Sequence, residues 1–300
     1  MEKYKGTDSP MVSASAFIRI TCILAVCAVL SCVSAPDDDY IQYSSRSDDR
    51  EFYDRAIAET VRLQSRVNRA HAGICSHHLL AAPYMSGFFR AFREKTKFFT
   101  PRNIIIIGPN HRSLGSSPIA LSASRWKTPY GFCNPASDII TAVSSMTNAS
   151  IDEDAFTYEH SIGALLPFVR YYFPKARIVP IILMPSVTRQ EARALGKLIS
   201  DKTDINDVLI LSADFVHNKA QEGARAIDMR SRRVLENLHT YNSSSPLPII
   251  EIDCNRGLEL LMTYTMRHGS AADILIRTDS SEISGRAAPV TSYFFVLYGK

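Results

Sequence analysis

Five short stretches of this 300-residue chain carry side chains that bind metals or move protons. They are Ser76-His77-His78, Asn110-His111-Arg112, Glu159-His160, Asp214 with His217, and Cys254. Histidine supplies a neutral imidazole nitrogen to a metal, or a proton carrier near neutral pH. Aspartate and glutamate supply anionic oxygens, and cysteine a thiolate. Two imidazoles and one anionic ligand with open positions is the arrangement of non-haem iron oxygenases, and a thiolate in the anionic place also admits zinc or copper. No HExxH or CxxC motif occurs, so a site of this kind has to be assembled from distant segments. Each group also has a structural role open to it. Asp214 and Glu159 can cap helices, and Cys254 can be a small buried apolar residue.

The elements that must carry these groups alternate between strand and helix. Asn103–Ser113, NIIIIGPNHRS, is a four-isoleucine strand stopped by Gly108-Pro109, with His111 just beyond the stop. His77 follows the short apolar run Ala72–Ser76, and Asp214 and His217 follow the strand Val208–Leu211. Ile178–Met184 is a further buried strand in which Pro180 suggests a bulge or an edge. Helices are expected over Leu79–Lys95, Ser137–Met146, Ile162–Phe173, Thr188–Ser200, Ala220–Leu238 and about Gly257–Met266. Thr188 with Glu191 forms a capping box. Glu159-His160 and Cys254 stand just before helices, where the positive end of the dipole favours a thiolate. Ala272–Ile276 and Ser292–Leu297 close the chain as strands, the last apolar enough to lie inside a sheet. The pattern predicts an α/β fold, one domain over 71–300 with a central mixed, largely parallel sheet flanked by helices. In such sheets ligands bind beyond the carboxyl ends of the strands.

Composition is that of an ordinary globular protein, with 46% hydrophobic and 21% charged residues. A net charge of +4 without a long Lys/Arg run gives no reason to expect a nucleic-acid partner. The N-terminus is different. Lys3, Lys5 and Arg19 precede an uncharged apolar run, Ile20–Val33, which is short for a membrane span and has the layout of an export signal. Residues 1–35 are therefore expected to be a signal peptide, a lipoprotein signal with Cys32 as the lipidated residue, or an N-terminal anchor. Residues 36–70 would be a tether and a surface helix. The protein is then exported and membrane-tethered, or cytoplasmic if the segment is not a signal. Only Cys75, Cys133 and Cys254 lie outside the leader, too few for a disulfide scaffold, although a Cys75–Cys254 bridge is a rival to a ligand role for Cys254.

The islands SHHLLAAPYMSG (76–87), GPNHR (108–112), EHSIxxxLPF (159–168), SADFxH (212–217) and DCNRG (253–257) occur in an order that resembles the Memo family, whose bacterial members are called AmmeMemoRadiSam system protein B. The resemblance covers residues 72–300 and implies a fold similar to class III extradiol (LigB-like) dioxygenases. It implies a metal ion, iron or copper with zinc admissible, held by His77, His111 and Cys254. Asp214, His217 and His160 would line the same pocket. In that reading His217 or His160 acts as general acid/base, Asp214 is a further ligand or orients one, and Glu159 holds His160. A redox role is associated with the family, and so is peptide binding. The alternative is a non-catalytic module whose same pocket binds an anionic or peptide ligand, with Arg112 holding the anion; whether that ligand is a small molecule or a peptide stays open. The chain departs from the family pattern at Ser76 and His78-Leu79-Leu80 around the first histidine, and at Gly163, Leu165, Asn218 and Asn255.

Overall fold

The computed structural model describes residues 40–41, 48–96, 100–241, 246–286 and 289–300. The export-signal reading of 1–35 and much of the tether lie outside these residues. In chain order the elements are β1 (Tyr40–Ile41), α1 (Arg50–Ala58), β2 (Ala70–Cys75), α2 (Ala82–Lys95), β3 (Asn103–Pro109), β4 (Ile119–Leu121), β5 (Arg125–Thr128), β6 (Gly131–Cys133), α3 (Ser137–Met146), β7 (Ser150–Ile151), α4 (Leu166–Tyr172), β8 (Arg177–Leu183), α5 (Arg189–Lys202), β9 (Asp207–Ser212), α6 (Gln221–Glu236), α7 (Asn255–His268), β10 (Ala271–Asp279), α8 (Ser280–Ser284) and β11 (Ser292–Gly299). Among the described helices none is long and apolar enough to cross a membrane.

Eight strands form one sheet in the order β10-β11-β2-β9-β3-β8-β4-β7. Its centre, β2-β9-β3-β8, is parallel. β11 is antiparallel to both β10 and β2, so the last apolar strand does lie inside the sheet. The period-two alternation of side chains divides β3 between two cores. Ile105 and Ile107 join Val179, Ile181, Leu209 and Leu211 against Leu195 and Ile199 of α5 and Leu258 and Leu261 of α7. Ile104 and Ile106 join Ile178, Val208 and Ile210 against the phenylalanines of α2 and α4. Both faces are covered by helices, which is why the isoleucine run is continuous rather than alternating with polar residues.

Two expectations change in detail. Pro180 sits in an interior strand, fully paired with β3 on one side. On the other side it occupies the last rung against the β4 end, where Ser122 N–H donates to Pro180 C=O at 3.3 Å and no return donor is needed. The helix expected over Ile162–Phe173 is confined to Leu166–Tyr172, with Pro167 at its start. Residues 161–165 are turns, because Glu159 takes the Ser161 and His160 N–H groups and proline favours the first helical turn.

Candidate metal site at the carboxyl edge of the sheet

Because β2, β9 and β3 are adjacent and parallel, their carboxyl ends emerge side by side, about 4.8 Å apart per strand. Each carries a polar side chain two residues past its end: His77 after β2, Asp214 after β9 and His111 after β3. The 159–161 turn reaches the same edge because Gly108 admits it. A Cβ on Gly108 would stand 2.4 Å from Ser161 Oγ, and that hydroxyl donates to Pro109 C=O at 3.0 Å. The fifth contribution, Asp253-Cys254, precedes α7 and is tied on by Asp253 N–H donating to Asp214 C=O at 3.0 Å. Asp214 N–H returns a bond to the Asp253 carboxylate at 3.1 Å.

Histidine orientation follows from the hydrogen bonds. Ser212 Oγ donates to Ser161 C=O at 2.5 Å, so the His77 Nδ1–H must be the donor in its 3.0 Å contact with Ser212 Oγ. That leaves His77 Nε2 facing Asp253 Oδ2 at 3.2 Å and Asp214 Oδ2 at 3.7 Å. His111 is held in the same sense. Its Nδ1 lies 2.9 Å from Glu159 Oε1, its backbone N–H donates to Glu159 Oε2 at 2.8 Å, and its Nε2 is 3.7 Å from Asp253 Oδ2. The rings of His77, His111 and His160 are mutually in contact, with centroids 4.7 to 5.2 Å apart. Ser76 Oγ fixes Asp214 Oδ1 at 2.5 Å.

Carboxylates dominate the electrostatics. Burial opposes a charge on His77, yet Asp214 and Asp253 raise its pKa. Burial likewise opposes a charge on His111, but the Asp253 and Glu159 carboxylates hold it up to about 10. Reciprocally, and against burial, His111 and the surrounding N–H groups lower Glu159 to about 2. His77 and His111 likewise lower Asp253 to about 2. His160, whose side chain is half exposed, is kept below its ordinary value by burial and by the neighbouring His77. The edge therefore presents imidazole nitrogens and carboxylate oxygens around a point that attracts positive charge.

Two groups of ligand atoms come together within 4.8 Å: His77, His111 and His160, and His77, Asp214 and Asp253. Ligands on one ion with bonds of about 2.1 Å stand about 3.0 to 3.4 Å apart, close to the spacing around Asp253 Oδ2. Cys254 belongs to neither group. It is buried at the N-cap of α7, where burial and then the Asp253 carboxylate push its thiol well above the ordinary range, outweighing the Gly257 N–H. It does line one cavity with His111 and Asp253. Cys75 and Cys254 are both free thiols. Glu159 engages the ring of His111, whereas the His160 Nδ1 is 3.8 Å away. His217 is exposed and lines the neighbouring cavity of about 480 Å³ with His77, His78, His111, His160 and Asp214. His78 Nδ1 contacts Tyr293 Oη at 2.5 Å. Arg112 is exposed, with its guanidinium over the ring of Tyr158, and lines neither cavity.

Asp253 and Ser212 are the residues that reading the sequence passed over. Both stood in plain view, Asp253 beside Cys254 and Ser212 opening SADFxH. Only their position opposite His77 distinguishes them from other loop residues.

Residues 43–294 match the family described as Memo-like protein. Among individual relatives, a MEMO1 family protein of Methanobrevibacter smithii is 30% identical over 230 residues, 74% of this chain and 79% of that protein. One from Methanopyrus kandleri is 29% identical over 210 residues, 66% of this chain and 73% of that one. Among solved structures, an uncharacterized protein of Escherichia coli K12 superposes with a TM-score of 0.52 at 14% identity, covering 77% of this chain and all of the other. That last likeness concerns the fold alone.

Proposed function

Because the chain belongs to the Memo family, we propose that it holds one metal ion at the carboxyl edge of its sheet and offers it to a small organic or peptide ligand in a redox-type pocket. The observation that carries this reading is the convergence of His77 Nε2 and His111 Nε2 on Asp253 Oδ2 at 3.2 and 3.7 Å. In each ring the other nitrogen is already engaged, by Ser212 or by Glu159. Such outer partners fix the tautomer and aim the free nitrogen. Nitrogen and carboxylate donors suit iron, copper or zinc. An ion there supplies Lewis acidity and, for iron or copper, electron transfer.

His77 and His111 are the proposed neutral ligands. The anionic place falls to the Asp253-Cys254 pair: Asp253 by its distance to both imidazoles, Cys254 by the family resemblance and by lining the same cavity as His111. His160, half exposed and disposed to be neutral, is placed to accept a proton from a bound ligand. His217 is exposed and lines the cavity of about 480 Å³ together with His160. Asp214, fixed by Ser76, orients the His77 side of the site. Metal analysis of anaerobically purified protein tests the reading. About one ion per chain is expected, lost in His77→Ala and in His111→Ala. Stoichiometric metal retained by both variants would refute the ligand assignment. We propose in addition that the Ile20–Val33 run exports and tethers the chain; an intact Met1 terminus in protein from the soluble cell fraction would refute that.

A further inference from the structure

A second cavity of about 590 Å³ shares His111 with the histidine-lined one and also reaches Asp253. Its walls differ from those of the histidine-lined cavity. Leu183, Met184, Leu247, Pro248 and Leu258 make it apolar, and Arg189 and Arg256 bring positive charge. The two arginines are not equivalent. Arg189 is engaged with Glu259, at 2.9 Å, and Glu259 is also bound by Arg193 at 2.8 Å. Arg256 donates its Nε to Val187 C=O at 2.7 Å, and among the described residues it meets no carboxylate. Its two Nη groups are left on a half-buried guanidinium fixed by the first turn of α7, three residues after Asp253.

A guanidinium held through Nε presents its remaining donors as a planar fork, the geometry that takes a carboxylate by two parallel bonds. Glu259 already occupies Arg189 and Arg193, which leaves one guanidinium for the ligand, and Asp253 lines the same cavity, so a monoanion fits better than a dianion. We propose that this cavity binds the carboxylate of an apolar small molecule, with Arg256 as the residue that selects it and His111-Asp253 as the edge that the rest of the ligand approaches. This names the ligand class for the pocket described above, and rests on that reading only for which end of the ligand reaches the edge.

The test is calorimetric titration of the purified full chain with 3-phenylpropionate, its uncharged amide, and phenyl phosphate. Wild-type protein should bind the carboxylate at least roughly tenfold more tightly than the amide, the discrimination expected of a charge-assisted fork. Arg256→Gln should abolish that ratio while leaving metal content unchanged, and Arg256→Lys, which keeps the charge without the fork, should fall between. Equal affinity for acid and amide in wild-type protein, no detectable binding of either, or discrimination that survives in Arg256→Gln would overturn the proposal. Tighter binding of phenyl phosphate would overturn the monoanion assignment. If wild-type protein proves metal-free yet still discriminates acid from amide through Arg256, the metal reading fails and this one stands.

Discussion

Replacing Glu159 by glutamine changes one atom and removes a buried charge from the back of His111. In the native site Oε1 accepts three N–H groups, from His111 Nδ1 at 2.9 Å, His160 N at 2.9 Å and Ser161 N at 2.8 Å, while Oε2 accepts His111 N at 2.8 Å. A glutamine can keep its carbonyl oxygen on the three-donor side only by turning its NH2 toward the His111 backbone N–H. One buried donor then loses its acceptor, which costs about 1 to 3 kcal/mol, and the other three bonds lose their charge assistance. We expect Glu159→Gln to destabilise the fold by about 2 to 4 kcal/mol. Loss of the partner that aims His111 should weaken metal binding about 10- to 100-fold.

The pH dependence sharpens this expectation. With His111 held up to about 10, a proton competes for Nε2 throughout the neutral range. Apparent affinity should therefore rise by about a factor of ten per pH unit from pH 7 towards 10. Removing the Glu159 charge lowers the His111 pKa and relieves that competition, which offsets part of the loss at pH 7 but little of it at pH 9.5. Competition of zinc(II) against a chromogenic chelator at the two pH values measures both effects. The variant should show its full deficit at pH 9.5 and a smaller one at pH 7. An unchanged affinity at pH 9.5, or a deficit independent of pH, would refute the assigned role of Glu159.

Asp253→Asn and Cys254→Ser separate the two candidates for the anionic position. Metal content should fall more in the aspartate variant if the observed convergence on Asp253 Oδ2 governs, and the reverse order would assign the position to the thiol. Gly257→Ala should destabilise by about 1 to 3 kcal/mol, because its Cβ would lie 2.4 Å from Leu211 Cδ1 and 2.7 Å from Cys254 Sγ; a melting temperature within a degree of wild type would contradict the packing. His71 gives a pH effect away from the site. Burial, and then the positive charge of His268, Lys300 and Arg69, hold it at about 3. Unfolded, it takes up a proton near its ordinary pKa of about 6.5. Its contribution is therefore complete above pH 6.5 and is lost as pH falls toward 3, by about 1.4 kcal/mol per pH unit. Urea unfolding of wild-type protein and His71→Gln at pH 7.5 and pH 5 should show the steeper loss in the wild type, and parallel losses would remove His71 as the cause.

What could be read from the chain alone was whatever rests on local pattern. Four β-branched isoleucines stopped by Gly108-Pro109 read as a strand covered on both faces. Ser137–Met146 was legible as a helix to the residue, and the Thr188–Glu191 capping box was legible because its bonds span three residues. The alternation of strand and helix led to the mixed, largely parallel sheet, and a histidine or aspartate two residues past a buried strand pointed to the ligand-binding edge. Whatever depends on which strand lies beside which needed the tertiary structure. Spacing along the chain says nothing about the β2-β9-β3 adjacency that sets the strand end carrying Asp214 between those carrying His77 and His111. Nor does it say which carboxylate faces which ring. Glu159 stands next to His160 in the sequence but takes hold of His111, because the Gly108 approach carries the 159–161 turn under the end of β3. Asp253 and Cys254 are neighbours in the chain, yet one turns toward the imidazoles and the other into the start of α7. A helix begins between them and the next turn, and successive side chains at its cap point in different directions, so one residue decides which group meets the histidines.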